Sequence, residues 1–213
     1  MIDTLMTIAP ELWRALGETL LMLGIGLSAA VLIGGPLGIV LFLNAGRPGR
    51  VLGWLVNTIR SFPFIILMVA LVPFTRIIAG TSIGPLAAAV PLAFAAIPYF
   101  ARLVEQQLIE VPRGVVEAAE AMGATRLQIV TRVLLVEARS GLVLALTVLA
   151  ISFLSYSAVA GVVGGGGIGD LAIRYGYYRF ETDVMVITVA ILVAIVQLIQ
   201  FGGGRLARRL DKR

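Results

Sequence analysis

Cysteine and histidine are absent from all 213 residues, and lysine occurs once, at Lys212. Without thiols or imidazoles the chain forms no disulfide, builds no thiolate or imidazole metal site, and has no Ser-His or Cys-His catalytic pair. A lone lysine near the tail also leaves no P-loop, and no Walker B acid or signature motif accompanies one, so the chain is not expected to hydrolyse ATP. Charge is scarce: 14% of residues are Asp, Glu, Lys or Arg against 59% hydrophobic, with a mean hydropathy of +1.01. That balance excludes an ordinary soluble domain and points to an all-α, polytopic membrane protein. The start, MIDTLMTIAPELW, lacks the basic n-region and small-residue cleavage site of a signal peptide, so the first apolar segment is expected to be retained.

What is present is five apolar stretches, at about residues 19–43, 59–77, 85–102, 138–160 and 184–204, within one domain spanning 1–213. Gly34-Gly35-Pro36 is expected to bend the first, and Arg47, Arg50 and Arg60 to mark the loop after it. The second is short, with Pro63 and Pro73 near its ends, which suggests a helix packed inside the bundle. Pro91 and Pro98 are expected to interrupt the third, and Arg102 opens a long polar loop.

Placing the loops alternately on two sides puts thirteen of the seventeen basic residues on the side of the first two polar loops and the C-terminal RLARRLDKR. The other side holds Arg14, Arg76, Arg174 and Arg179, while the acids divide six and six. By the positive-inside rule the N-terminus faces out, the C-terminus faces in, and the loop at 110–138 is cytoplasmic. The net charge of +5 then reflects topology and lipid phosphates, so the expected partner is the bilayer and not nucleic acid. The cores of the apolar stretches carry no acid or base, and no internal repeat is visible, which argues against a proton relay or an ion-coupled secondary transporter. With neither paired carboxylates nor a nucleophile beside a base, a membrane-embedded enzyme is disfavoured as well.

The charged island EVPRGVVEAAEAMGATRLQIVTRVLLVEA, residues 110–138, reads as two short helices and a turn. Pro112 suits a first helical turn, Gly123 a left-handed stop, and Thr125 with Gln128 a capping box that opens the second helix. The small residues Ala118, Ala119 and Gly123 would let a partner approach the backbone closely. Glu117-Ala118-Ala119, Gly123 six residues after the glutamate, and Val133-Leu134-Leu135 resemble the EAA loop of bacterial ABC-importer permeases. The resemblance implies a coupling helix seated in a cleft of a separate ATPase, with Glu117, Ala118, Ala119, Gly123 and Ala124 at the contact. The family pattern usually ends in Leu-Pro, whereas this chain has Leu135-Val136, so the second helix is expected to run without a proline kink into the fourth span.

The glycine tract AGVVGGGGIGDLAIRYGYYRF, residues 160–180, is not a phosphate cradle, since no Lys-Ser or Lys-Thr follows it. It is a tight turn or, the favoured reading, a re-entrant external loop that gates the exit of the fourth helix, because irregular backbone at membrane depth survives only beside protein or a water-filled cavity. Candidate pathway or gate residues are Ser61, Ser152, Ser155, Tyr156, Ser157, Gly164 and Gly165; each hydroxyl alone is equally compatible with interhelical bonding.

Arg60-Ser61-Phe62-Pro63-Phe64-Ile65-Ile66-Leu67, Pro73-Phe74-Thr75-Arg76, Gly80-Thr81-Ser82-Ile83-Gly84 and Tyr156-Ser157-Ala158 resemble methionine importer permeases. The resemblance implies a type I ABC importer in a bacterial inner membrane. Each permease subunit would have five helices and work as a homodimer, with two copies of an ATPase that hydrolyses ATP with Mg, and an external methionine-binding protein. The chain itself would bind no cofactor. A permease for another amino acid or small peptide remains open at this stage.

Overall fold

The structure is a computed structural model that describes residues 2–44 and 46–211, with side chains described for 6–44, 46 and 49–211. Among these residues every regular element is helical and none is a strand. Lys212 and Arg213 of the basic tail lie outside the described residues.

The first rod runs as α1 (Ile2–Ala29), a π-helical turn at Ala30–Gly34, and α2 (Gly35–Leu43). It begins well before residue 19, because Ile8, Ala15 and Met22 recur every second turn on one buried stripe and carry the helix through Glu11, Arg14 and Glu18. Gly34-Gly35-Pro36 does not end it. Pro36 has no N–H to give, and the ladder widens into π turns just ahead of it and continues. Gly34 and Gly38 instead set the packing, since a Cβ at either would lie 2.5 Å from the carbonyl oxygen of Ile97 or Ala101.

The segment expected as a loop at Arg47, Arg50 and Arg60 is a helix, α3 (Arg47–Arg60). It docks one face, with Val56 buried against Leu41 and Ala101, while Arg102 donates to the Asn57 side chain at 2.9 Å and to the Gly53 carbonyl at 3.2 Å. Val51 and Trp54 stay exposed on its other side. The chain then turns by 96° at 61–63 into α4 (Phe64–Ala70) and α5 (Val72–Ala79). These two are only partly enclosed by the chain's own helices, in contrast to the expected helix packed inside the bundle. Leu67, Met68, Leu71 and Thr75 face the bundle, whereas Ile66, Val69, Phe74 and Ile77 are exposed, because each helix touches its neighbours along one stripe only.

The expected interruption at Pro91 and Pro98 does not occur: α6 (Pro85–Ile109) is continuous through both and passes Arg102 by two turns. It is the central helix, in contact with α1, α2, α3, α4, α5 and with α10 (Arg139–Val162). Ala87, Ala88, Ala89, Ala96 and Ala101 are nearly all buried, and their small side chains let these neighbours close in. The last rod, α12 (Thr182–Leu210), lies along α10; the Arg139 Nε donates to the Leu210 carbonyl at 2.9 Å and the Ser140 hydroxyl to the Ala207 carbonyl at 3.0 Å. The first bond reaches a carbonyl in the last turn, where a helix leaves such groups without an intrahelical partner, and the second adds to the Asp211 N–H already on Ala207.

One core runs from Met22 and Leu92 through Phe100, Leu149 and Phe153 to Leu108 and Leu134. A smaller one, formed by Ile8, Ala15, Ile168, Leu171 and Val184, ties the start of α1 to the glycine tract.

Candidate functional site

The two stretches singled out by the sequence lie at opposite ends of α10. At the 110–138 end, Pro112 caps α7 (Arg113–Ala121), one position ahead of the helix. Gly123 stops it at φ +80°, with the Gly123 N–H on the Glu120 carbonyl and the Ala124 N–H on the Ala119 carbonyl. Thr125 and Gln128 form the reciprocal capping box, at 3.3 and 2.8 Å, that opens α8 (Arg126–Gln128). Glu117, Ala118 and Gly123 are exposed, and nothing lies within 4 Å of where a Gly123 Cβ would be. Ala119 is different: it is buried against the protein's own core, so its small size serves internal packing, and Ala124 is half-buried.

Sequence reasoning missed Met122 and Leu127, which flank this turn and are 82% and 72% exposed. Their apolar character beside an exposed turn was the available signal. Glu117 also edges a cavity of about 360 Å³ shared with Phe42, Ile109, Val111 and Arg113.

Beyond α8 a π-helical turn, Ile129–Leu134, leads into α9 (Leu135–Glu137). The expected uninterrupted run into the fourth span is corrected here. Ala138, at φ −78° and ψ −5°, separates α9 from α10 without any proline. The break falls where the chain begins to pack on two other helices: Arg139 and Ser140 bond to carbonyls of α12, and Gly141 meets the Gln107 side chain of α6.

At the other end α10 stops at Val162 and the chain reverses through 163–166 into α11 (Gly167–Leu171), followed by a π-helical stretch, Ala172–Tyr177. Gly164 and Gly166 have φ of +86° and +74°, and the Gly164 carbonyl accepts from the Gly84 N–H at 2.8 Å. The hairpin is closed backbone to backbone. A Cβ at Gly161 would lie 2.4 Å from the Asp170 nitrogen, one at Gly169 2.3 Å from the Ala158 Cα, and one at Gly165 2.7 Å from the Ala160 carbonyl oxygen. Beneath it lies a cavity of about 60 Å³ between Met68, Ala88, Ala160, Val163 and Gly165.

The candidate hydroxyls do not form one lining. Ser157 is 2% exposed and donates to the Leu154 carbonyl, so it faces the bundle and not a lumen. Ser152 and Ser61 donate to carbonyls of their own helices, Val148 and Asn57. Ser155 is exposed. Tyr156 stacks on Phe64, with ring centres 4.8 Å apart, and meets Phe153 edge-on; Phe153 in turn meets Tyr99, over which Arg60 lies at 4.9 Å. Such contacts make Tyr156 a packing ring that joins α4 to α10.

A charged cluster outside the hairpin was not anticipated. Glu11, Arg14, Glu18, Asp170 and Arg174 line a cavity of about 420 Å³. The Arg14–Glu18 and Arg174–Asp170 pairs bridge single helical turns at 3.0 and 2.7 Å, and the Tyr175 hydroxyl donates to Glu11 at 2.8 Å. That bond to Glu11 raises the Tyr175 pKa, with desolvation and the Glu11 charge adding to it. The signal in the sequence was the spacing of Glu11 and Glu18, two turns apart on one face of α1.

Residues 11–213 match the family model described as "Binding-protein-dependent transport system inner membrane component". The probable D-methionine transport system permease protein MetI of Vibrio cholerae is 48% identical over 95% of this chain and 93% of its own length. The D-methionine transport system permease protein MetI of Escherichia coli K12 is 44% identical over 96% and 99%.

The chain belongs to the inner-membrane permease family of binding-protein-dependent transporters. It is a multi-pass membrane permease without an ATPase site of its own.

A structure described as an inward-facing conformation of the MetNI methionine ABC transporter superposes on the permease with a TM-score of 0.93 at 43% identity, covering 97% of this chain and 99% of that one. An amino acid ABC transporter structure shares the fold at a TM-score of 0.81 and 20% identity. The permease therefore has the all-α type I importer fold, and its exposed α7 turn and glycine hairpin occupy opposite ends of that fold.

Proposed function

We propose that this permease carries methionine inward as the membrane subunit of an ATP-driven importer, working as a homodimer with two copies of a separate ATPase and an external binding protein. The observation that carries this reading is the agreement, over nearly the whole chain, with a methionine transporter at 43% identity and a TM-score of 0.93. The N-terminus lies outside and the C-terminus inside, which puts α7 and its turn in the cytoplasm. ATP and Mg act on the ATPase; this chain supplies no nucleotide site.

Coupling is mechanical. A helix stop at Gly123 followed at once by the Thr125 capping box makes 113–128 a stiff, exposed corner that moves as a body. Glu117, Ala118, Gly123, Met122 and Leu127 present it to the ATPase, with the two large apolar side chains as anchors. At the opposite end residues 163–166 form the external gate, whose glycine turn sits above the small cavity near Met68. With Ser61, Ser152 and Ser157 bonded to backbone carbonyls and Ser155 exposed, the pathway holds substrate weakly, and selection rests with the binding protein.

Reconstitution into vesicles with the ATPase and binding protein tests the assignment. The expected result is methionine uptake that requires ATP. Uptake driven by an ion gradient alone would overturn it, and competition by other amino acids at equal potency would reassign the substrate.

A further inference from the structure

The hairpin that closes the external end lacks a cap of its own. The residue before α11 is Gly166, at φ +74°, which has no side chain with which to accept the first N–H groups of the helix. Those groups are instead taken by two consecutive residues of α1, almost 150 positions away. The Glu18 Oε2 accepts from the Gly167 N–H at 2.8 Å, and the Thr19 Oγ1 accepts from the Ile168 N–H at 3.0 Å.

Three further observations make this a built contact. Thr19 is 1% exposed and Ile168 fully buried, so no water replaces their bond if the hydroxyl is removed. A Cβ at Gly166 would lie 2.5 Å from the Glu18 Oε2, and one at Gly167 2.7 Å from the Thr19 Oγ1, so the glycines there admit these particular side chains. The second oxygen of Glu18 accepts from the Arg14 Nε at 3.0 Å, which fixes the carboxylate rotamer.

The same rod is clamped to α6 further along, at Gly34 and Gly38. A tilt of α1 against α6 therefore reaches the hairpin directly.

We propose that Glu18 and Thr19 are positioning residues of the external gate, through which movement of α1 is passed to the glycine turn. The inference rests on reading residues 163–166 as that gate. When the helices rock, the first rod carries α11 with it, and the turn opens or closes over the pathway.

The chain has no cysteine, so a single Val163→Cys, at a position 43% exposed, reports on the turn when labelling is read on the separated permease band. In the complete complex with ATPase and binding protein, its reaction with a membrane-impermeant maleimide is followed without nucleotide and with ATP. In the parent the rate should change with ATP. Thr19→Val should raise the nucleotide-free rate about fivefold, the ratio that a lost hydrogen bond of ~1 kcal/mol gives. It should also abolish the ATP response and lower uptake per ATP hydrolysed, and Thr19→Ser should restore all three. If Thr19→Val does not assemble, Glu18→Ala carries the same comparison in a side chain that is 20% exposed. Labelling that responds to ATP as in the parent despite Thr19→Val and Glu18→Ala would overturn the positioning role and leave the gate intact. A parent that shows no ATP response would remove the gate and this inference with it.

Discussion

The α7 corner and the glycine hairpin are both short helical reversals, yet they are held by opposite means. The corner is stabilised locally: Gly123 ends one helix, and Thr125 and Gln128 cap the next within six residues. It stands clear of the bundle at Met122 and Leu127, with open space beside Gly123. The hairpin is stabilised remotely. Its backbone is pressed against α10, its first amides are held by α1, and Ile168 and Leu171 fill a core with Ile8 and Val184. A corner whose turn is fixed by its own caps can move as a unit when a partner pulls it, whereas a hairpin held by α1, α10 and α12 responds to how those helices move relative to one another.

The contrast is broken most severely at the hairpin's closest contact. Gly169→Leu places side-chain atoms where the Ala158 backbone already lies, 2.3 Å away, and should cost about 3 kcal/mol or more. Thermal unfolding of the purified permease checks this; a melting temperature near the parent's would mean the two helices are not packed backbone to backbone. At the corner the same kind of change should spare the fold more. Gly123→Val meets no neighbour and pays only the left-handed backbone strain of about 1–2 kcal/mol, yet it should lower co-purification of the ATPase.

Met122→Asp sharpens the difference further, with an expected loss of about tenfold or more in ATPase affinity, equivalent to ~1.4 kcal/mol, and no shift in thermal stability. Retained affinity would remove Met122 from the docking surface. Thr125→Ala should cost about 1 kcal/mol by loss of a helix cap, measurable as local hydrogen exchange at 126–128 while the hairpin amides stay protected.

The smallest expected effect is at Tyr175. Its bond to Glu11 holds the phenol protonated above its ordinary pKa, so the contribution is fully present below about pH 10 and fades as pH rises through the raised value. Tyr175→Phe should remove this alkaline dependence of stability, and an unchanged profile would show that the bond is not formed in solution.

The capping box, the stop at Gly123 and the long apolar rods were legible, because each is a property of neighbours in sequence. Pro91 and Pro98 misled, since a helix packed on six others keeps its course where an isolated one would break. The segment at 47–60 misled because arginines at a helix end look like a loop until Val56 is seen docked on Leu41 and Ala101. Ala138 was invisible: no residue type marks the break, which lies where Arg139, Ser140 and Gly141 begin to meet α12 and α6.

By itself the sequence determined that this protein crosses a membrane repeatedly as helices, offers no thiol or imidazole for chemistry, and carries a capped helical corner at 113–128. Local propensity, hydropathy and charge suffice for each of these. Only the tertiary structure decided that Ala119 and Ser157 are interior residues, that Tyr156 packs on Phe64, and that Glu18 and Thr19 cap a helix beginning at Gly167. Those pairings join residues far apart in the chain, and which distant groups meet is set by how the rods pack, which no local pattern records.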